Sequence, residues 1–231
     1  LTKKNSPTIN KLRYLDDYKK TKIIGVYDLN DDLISRNEEK IFFNLLKKNI
    51  DKFDLIIVAD YGHGIITEKI RKLISKNGSK VFLNTQINSF NRGYHTVNRY
   101  KKINTLVINE GELRFELRDK HSKISNLVKY LSKKISVQNI IVTRGKLGSV
   151  LVNCKNNSVI SCPGFNQNNI DTIGAGDAFF GMCSLSIGSK IENKISMLIA
   201  SLCASFSIDQ QGEKSNFDNK ILKKHLNHMF K

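Results

Sequence analysis

A chain of 231 residues with 40% hydrophobic content is long enough to bury a substantial core and fits one domain. No apolar run reaches bilayer length, and Cys154, Cys162, Cys183 and Cys203 form no C-x-x-C pair, which excludes a zinc ribbon and a disulfide framework and leaves a reduced, cytoplasmic protein as the expectation. The net charge of +17 is spread over the whole length among abundant Asn and Ile, with no basic stripe and no interleaved aromatics, so neither nucleic acid nor a membrane is expected as partner. Nucleotide phosphates would satisfy a general preference for anions. The opening Leu1-Thr2-Lys3-Lys4 has no initiator Met and no signal-peptide pattern, and the expectation is that the sequence was cut from something longer.

Residues 11–15 and 22–27, separated by the polar stretch 16–21, read as a pair of strands. From Glu38 onward, helix-like and strand-like segments alternate: 41–46 is helical, 54–59 a buried strand, 67–75 helical and 80–83 a strand. Residues 105–108 form the next strand, 127–135 a helix, and 139–143 a strand rich in β-branched residues. Alternation of this kind predicts a parallel sheet. Residues 149–152 and 158–161, joined by the polar 153–157, predict an antiparallel hairpin on the sheet edge. The last third reads as helices at 175–187, 191–208 and 219–230, with Ile191, Ile195, Leu198, Leu202 and Phe206 lining one face of the middle one. The expected fold class is therefore α/β, a doubly wound, mainly parallel sheet flanked by helices. It forms a single domain over 1–231, with a small β element at 11–27 in front of a core at 38–231.

The sharpest chemical signal is Asp171-Thr172-Ile173-Gly174-Ala175-Gly176-Asp177, immediately before a predicted helix. Gly174 and Gly176 permit positive φ and close backbone approach, while the free N–H groups of a helix's first turn and its dipole attract an anion. Asp177, in or near that turn, could accept a proton from an attacking hydroxyl. A purely structural account also exists at this point: the small residues pack the helix against a strand, and Asp177 caps it.

Those seven residues match the D-T-x-G-A-G-D signature of the ribokinase-like (PfkB) carbohydrate kinases, and the chain resembles that family from about Lys11 onward. The resemblance implies that the backbone of Gly174, Ala175 and Gly176 stabilises the transferred phosphoryl group and that Asp177 is the catalytic base. It implies ATP as phosphoryl donor, a sugar or phosphosugar as acceptor, and Mg2+. Asn109-Glu110-Gly111-Glu112 matches the family's N-x-x-E motif, so Asn109 would lie near the phosphates and Glu112 would help to place Mg2+ indirectly. Magnesium keeps several waters and few protein carboxylates, which suits an outer position; as bare residues, N-x-x-E also reads as a capped helix start. Thr143-Arg144-Gly145 matches the T-[KR]-G loop, and nucleotide contacts are implied at Asn109, Arg144, Gly145, Asp171 and Thr172.

Asp60-Tyr61-Gly62-His63-Gly64 resembles the D-Y-G-K-G segment of the heptose-phosphate kinase branch, at the carboxyl edge where open α/β sheets place ligands. The resemblance makes Asp60, Gly62 and His63 candidate substrate residues, with His63 in the place of a lysine; a Gly-rich turn capped by Asp60 is the structural alternative. Asn84-Thr85-Gln86 departs from the expected D-P-K. Gln210-Gln211-Gly212 falls where the family places a monovalent-cation site, and the i, i+3 pair His225 and His228 reads as part of a solvated helix. The front strands look like a lid remnant, which in the family can pair between subunits as a homodimer, and the sugar-binding elements are expected upstream of Leu1. Two rivals stand beside the kinase: a regulatory nucleotide-binding protein without catalysis, which the intact Asp177 opposes, and a nucleic-acid-binding protein, which only the charge favours.

Overall fold

The computed structural model describes residues 2–16, 18, 22–88, 91–165, 174–209, 223 and 227. Its first two strands, β1 (Asn10–Leu15) and β2 (Lys22–Asp28), pair antiparallel as a separate ribbon. A capping box then starts α1 (Arg36–Asn49): Ser35 accepts from the Glu38 N–H, and Glu38 accepts from the Ser35 N–H at 2.7 Å. This helix is longer than its apolar pattern predicts because the cap, and not the first apolar residue, sets its beginning.

The main sheet has six strands in the order of the chain: β3 (Ile56–Asp60), β4 (Val81–Thr85), β5 (Lys102–Asn109), β6 (Ser136–Thr143), β7 (Ser149–Asn153) and β8 (Val159–Cys162). The first four are parallel and the last two are added antiparallel, as the hairpin pattern predicts. Between the strands run α2 (Glu68–Lys76), α3 (Glu110–Leu117) and α4 (Ile124–Ser132); α5 (Ala175–Gly188) and α6 (Asn193–Asp209) follow the hairpin.

Period-two alternation on the strands divides the core in two. Leu83, Leu106, Ile108, Ile140 and Val142 point to one face and pack with Ile70 of α2, Leu113 of α3 and Leu131 of α4. Phe82, Val107, Ile141 and Leu151 point to the other and pack with Phe179 of α5 and Met197 of α6. Each fully buried side chain of this size stabilises the fold by about 1.5–3 kcal/mol. Helices cover both faces, so the α/β class and its mainly parallel sheet stand as expected.

The face assigned to the middle C-terminal helix stands only in part: Leu202 is buried, but the start of the stripe lies outside the core. Ile191 precedes α6 and is 39% exposed, and Ile195 is 46% exposed. Ser196, Met197, Ala200 and Cys203 are buried in their place. Small side chains let α6 approach α5 and β8 closely, and that contact overrides the stripe of branched residues. Of α3 only Leu113 is buried, so it has little apolar periodicity to read, and only its capped start at Asn109 is legible in the sequence. Of the helix expected at 219–230 only residues 223 and 227 are described, and both are helical; Gln210 to Gly212, His225 and His228 lie outside the described residues.

Candidate active site

Parallel pairing brings the ends of four strands to one edge. Asp60 is in register with Thr85, and Asn109 with Thr143, so the loops that carry chemistry all leave from the same side of the sheet. Three segments far apart in sequence meet there. Asn109 of β5, Thr143 and Gly145 at the end of β6, and Ala175 and Gly176 of α5 line one pocket of about 310 Å3, with Phe179 and residues of α6 behind them.

The α5 turn has the character of an anion site. Gly174 is the N-cap in the left-handed region at φ 85°, and the first helical bond is donated by the Ala178 N–H to the Gly174 carbonyl at 2.9 Å. The N–H groups of residues 175–177 therefore have no acceptor within the helix, and the dipole favours negative charge beside them. A Cβ built on Gly174 or Gly176 would meet no described atom within 4 Å. Tight packing against a strand is thus not what these glycines serve; they leave the pocket side of the turn open. Asp177 stands exposed in this first turn, and its Oδ1 accepts from the Tyr61 hydroxyl at 2.8 Å.

Asn109 and Glu112 form a reciprocal cap for α3. The Asn109 side chain accepts from the Glu112 N–H at 2.8 Å, and Glu112 Oε2 accepts from the Asn109 N–H at 3.2 Å. The other oxygen of Glu112 accepts from the Ile87 N–H at 3.2 Å, and burial raises its carboxyl pKa. Both oxygens are engaged by backbone, which fits an outer contact to a metal-bound water and not direct ligation. Among the described residues no group of three His, Cys, Asp or Glu side chains could hold a metal ion.

Arg144 is not an isolated cation. Its Nε donates to Glu110 Oε2 at 2.9 Å, while Arg114 donates to Glu110 Oε1 at 2.7 Å. These two guanidinium partners, Arg144 first, lower the Glu110 carboxyl pKa. The loop beyond Arg144 is closed by the Arg144 N–H to the Gly148 carbonyl at 2.8 Å, and Gly148, at φ 81°, passes so near Cys162 that a Cβ would sit 2.0 Å from its carbonyl oxygen.

The segment after β3 takes the form of the structural alternative, a Gly-rich turn capped by Asp60. Asp60 is 4% exposed, and its carboxylate is used inside the protein: Oδ1 accepts from the Gly62 N–H at 3.0 Å and Oδ2 from the Tyr100 hydroxyl at 2.7 Å. The His95 Nε2 lies 2.9 Å from the Asp60 carbonyl oxygen. Gly62, at φ 72°, has no room for a side chain, because Asn91 would lie 2.6 Å from a Cβ. The His63 Nδ1 lies 2.7 Å from Asp31 Oδ1, with only 8% of its side chain exposed. The residue of this segment that reaches the α5 turn is Tyr61, which motif reading passes over. Its signal was present, an aromatic hydroxyl inside the quoted motif, but nothing local in the chain ties it to a position 116 residues away. Asp171 and Thr172 lie outside the described residues.

Comparison with known proteins sets this geometry in a family. Residues 3–220 match the pfkB family carbohydrate kinases. The bifunctional protein HldE of Aliarcobacter butzleri is 27% identical over 205 residues, and that of Campylobacter fetus subsp. fetus 24% identical over 221. These matches cover 84% and 86% of this chain but 40% and 43% of the relatives, so the chain spans about two fifths of their length. Among solved structures, Arabidopsis thaliana ribokinase complexed with ribose and ATP superposes with a TM-score of 0.71 at 20% identity, covering 96% of this chain and 70% of that one. Escherichia coli phosphofructokinase-2 in complex with potassium gives 0.70 at 13% identity, over 96% and 71%. The fold is ribokinase-like. Since that match takes in the front ribbon, the whole sheet and the α5 turn, the chain belongs to the pfkB family of carbohydrate kinases.

Proposed function

We propose that this protein transfers the γ-phosphoryl group of ATP to a hydroxyl of a sugar or sugar phosphate, with Asp177 as general base. The single observation that carries the reading is the convergence of Asn109, Thr143, Gly145, Ala175 and Gly176 on one pocket, with no described atom within 4 Å of a Cβ on either glycine of the α5 turn. Free N–H groups at a helix N-terminus suit the charge on a transferring phosphoryl group, and a carboxylate in the same turn suits the hydroxyl that attacks it. Arg144, held by Glu110, supplies a cation beside Asn109 at the strand ends. Phosphoryl transfer needs little from the protein beyond positioning and charge stabilisation. Mg2+, when bound, would neutralise phosphate charge, and Glu112 would hold one of its waters. A monovalent cation belongs to the same proposal. For the acceptor, the 60–64 loop faces the right edge of the sheet; Asp60 shapes that loop, and Gly62 and His63 form its turn. The front ribbon would act as a lid and would pair with that of a second copy.

The test is sugar-dependent ADP release by the full-length protein over a panel of sugars and phosphosugars, with Asp177→Asn beside it. The variant should lose on the order of a hundredfold or more in rate, with ATP affinity near that of the wild type. Retention of most of the turnover by Asp177→Asn would remove the base assignment, and nucleotide binding without turnover on any sugar would favour the regulatory reading.

A further inference from the structure

Asp177 carries an exposed carboxylate at the start of α5, and such a group has little to fix it. The last torsion of an aspartate is broad and nearly two-fold, so an unrestrained carboxylate samples many directions. A base is useful only when one lone pair points at the proton that it takes, and small misplacements are costly. In this structure one oxygen is fixed: the Tyr61 hydroxyl donates to Asp177 Oδ1 at 2.8 Å. The other oxygen keeps its own lone pairs.

We propose that Tyr61 is the positioning residue of the base, holding Oδ1 of Asp177 so that Oδ2 is presented to the acceptor hydroxyl. The proposal rests on the reading of Asp177 as the base and adds a residue to it. The arrangement repeats, in other side chains, the logic by which a general base is oriented by a third group.

Tyr61 is well suited to the task because it is itself held from several sides. Its carbonyl accepts from Asn88 Nδ2 at 3.1 Å and from Asn91 Nδ2 at 3.0 Å. The His63 ring lies parallel to it, 6.4 Å away and within 5°. Lys11 of β1 places its ammonium 5.1 Å from the ring centroid, a cation–π contact from the lid ribbon. The rest of the loop is pinned to the segment after β2. The Ile34 N–H donates to the Gly64 carbonyl at 3.1 Å, and Gly64, at φ 80°, lies so close to Asp32 that a Cβ would stand 1.9 Å from its carbonyl oxygen. The ring is therefore fixed by the same loop on which the lid is seated.

The phenol also keeps its proton. Partial burial, and after it the Asp177 carboxylate, push its pKa up to about 12. Across neutral pH Tyr61 stays a donor and does not compete with Asp177 for the proton of the acceptor.

The experiment compares wild type, Tyr61→Phe, Asp177→Asn and the double variant of the full-length protein, by initial rates at varied ATP and acceptor. Removing one hydrogen bond to a charged group should lower kcat roughly tenfold in Tyr61→Phe while the KM for ATP stays nearly unchanged. On the Asp177→Asn background the same change should cost little more, since the group through which Tyr61 acts is gone. An unchanged kcat in Tyr61→Phe, with Asp177→Asn inactive, would overturn the proposal and leave the base assignment standing. A rise in the KM for ATP that matches the fall in kcat would also overturn it, because it would show a general loosening of the site. An active Asp177→Asn would sink the base assignment and this proposal together.

Discussion

Glu110 and Glu112 stand two residues apart on the first turn of α3 and serve different neighbours. Glu112 turns into the protein to cap its own helix and the Ile87 N–H, whereas Glu110 faces Arg144 across 34 positions of sequence. As letters in N-x-x-E, the second glutamate draws attention and the first looks incidental. The distances give the first one a clear task, since a guanidinium held at Nε by a carboxylate presents its planar fork in one direction. Glu110→Gln keeps the shape but removes the charge. Because the pair is partly exposed, the expected loss is modest, roughly a two- to fivefold rise in the KM for ATP. Glu112→Gln, in contrast, should raise the Mg2+ needed for half-maximal rate. Both values come from ADP release at varied ATP and Mg2+, and identical responses of the two variants would show that one common structural change underlies them. Motif reading singles out Asn109, Arg144 and the α5 turn because each carries its chemistry in neighbouring letters. It does not reach Tyr61 or Glu110, whose partners are brought near only by the sheet, and although it offers Asp60 as the cap of its own turn, it does not show Tyr100 as the second partner of that carboxylate.

At the level of elements, the strands were legible because alternation of large apolar residues is the same signal whichever face is buried. Helices were read less evenly. α2 and α4 have strong apolar stripes, with Thr67 as the cap of α2; α3 shows in the sequence only its polar cap, with no stripe after it. The N-terminal turn of α5 offers a test that separates the two readings of its glycines. Gly176 lies within the helix, and an alanine there meets no described atom within 4 Å. Gly176→Ala should therefore be neutral or up to about 1 kcal/mol more stable, since alanine is the better helix former. The added methyl group would occupy the space in front of the free N–H groups, and turnover should fall roughly tenfold or more. Thermal melting and ADP release measured on the same preparation decide the matter. A variant that loses stability and activity together would return Gly176 to a packing role.

At the scale of the whole molecule, the outer face of the front ribbon is, among the described residues, an apolar surface that the main sheet and its helices do not explain. The register pairs Leu12 with Val26 and Tyr14 with Ile24, which places all four on one side. They are 49%, 47%, 55% and 54% exposed in that order, while Lys11, Gly25 and Tyr27 on the opposite side are half-buried. A two-stranded ribbon is marginal by itself, and a contiguous apolar face on it favours association. The occupant expected is a second copy of the chain, ribbon against ribbon. A net charge of +17 opposes the approach of two copies, so pairing should strengthen as salt screens that repulsion, the reverse of what binding to an acidic polymer would show. Leu12→Glu combined with Val26→Lys tests the idea without breaking the ribbon, since the two positions are direct cross-strand partners and opposite charges there support strand pairing. Sedimentation velocity over a range of concentrations should show a dimer for the full-length protein and a monomer for the double variant, with unchanged far-UV circular dichroism. A wild type that remains monomeric at every concentration and salt, or a double variant that still dimerises, would place the subunit contact, if any, on another face.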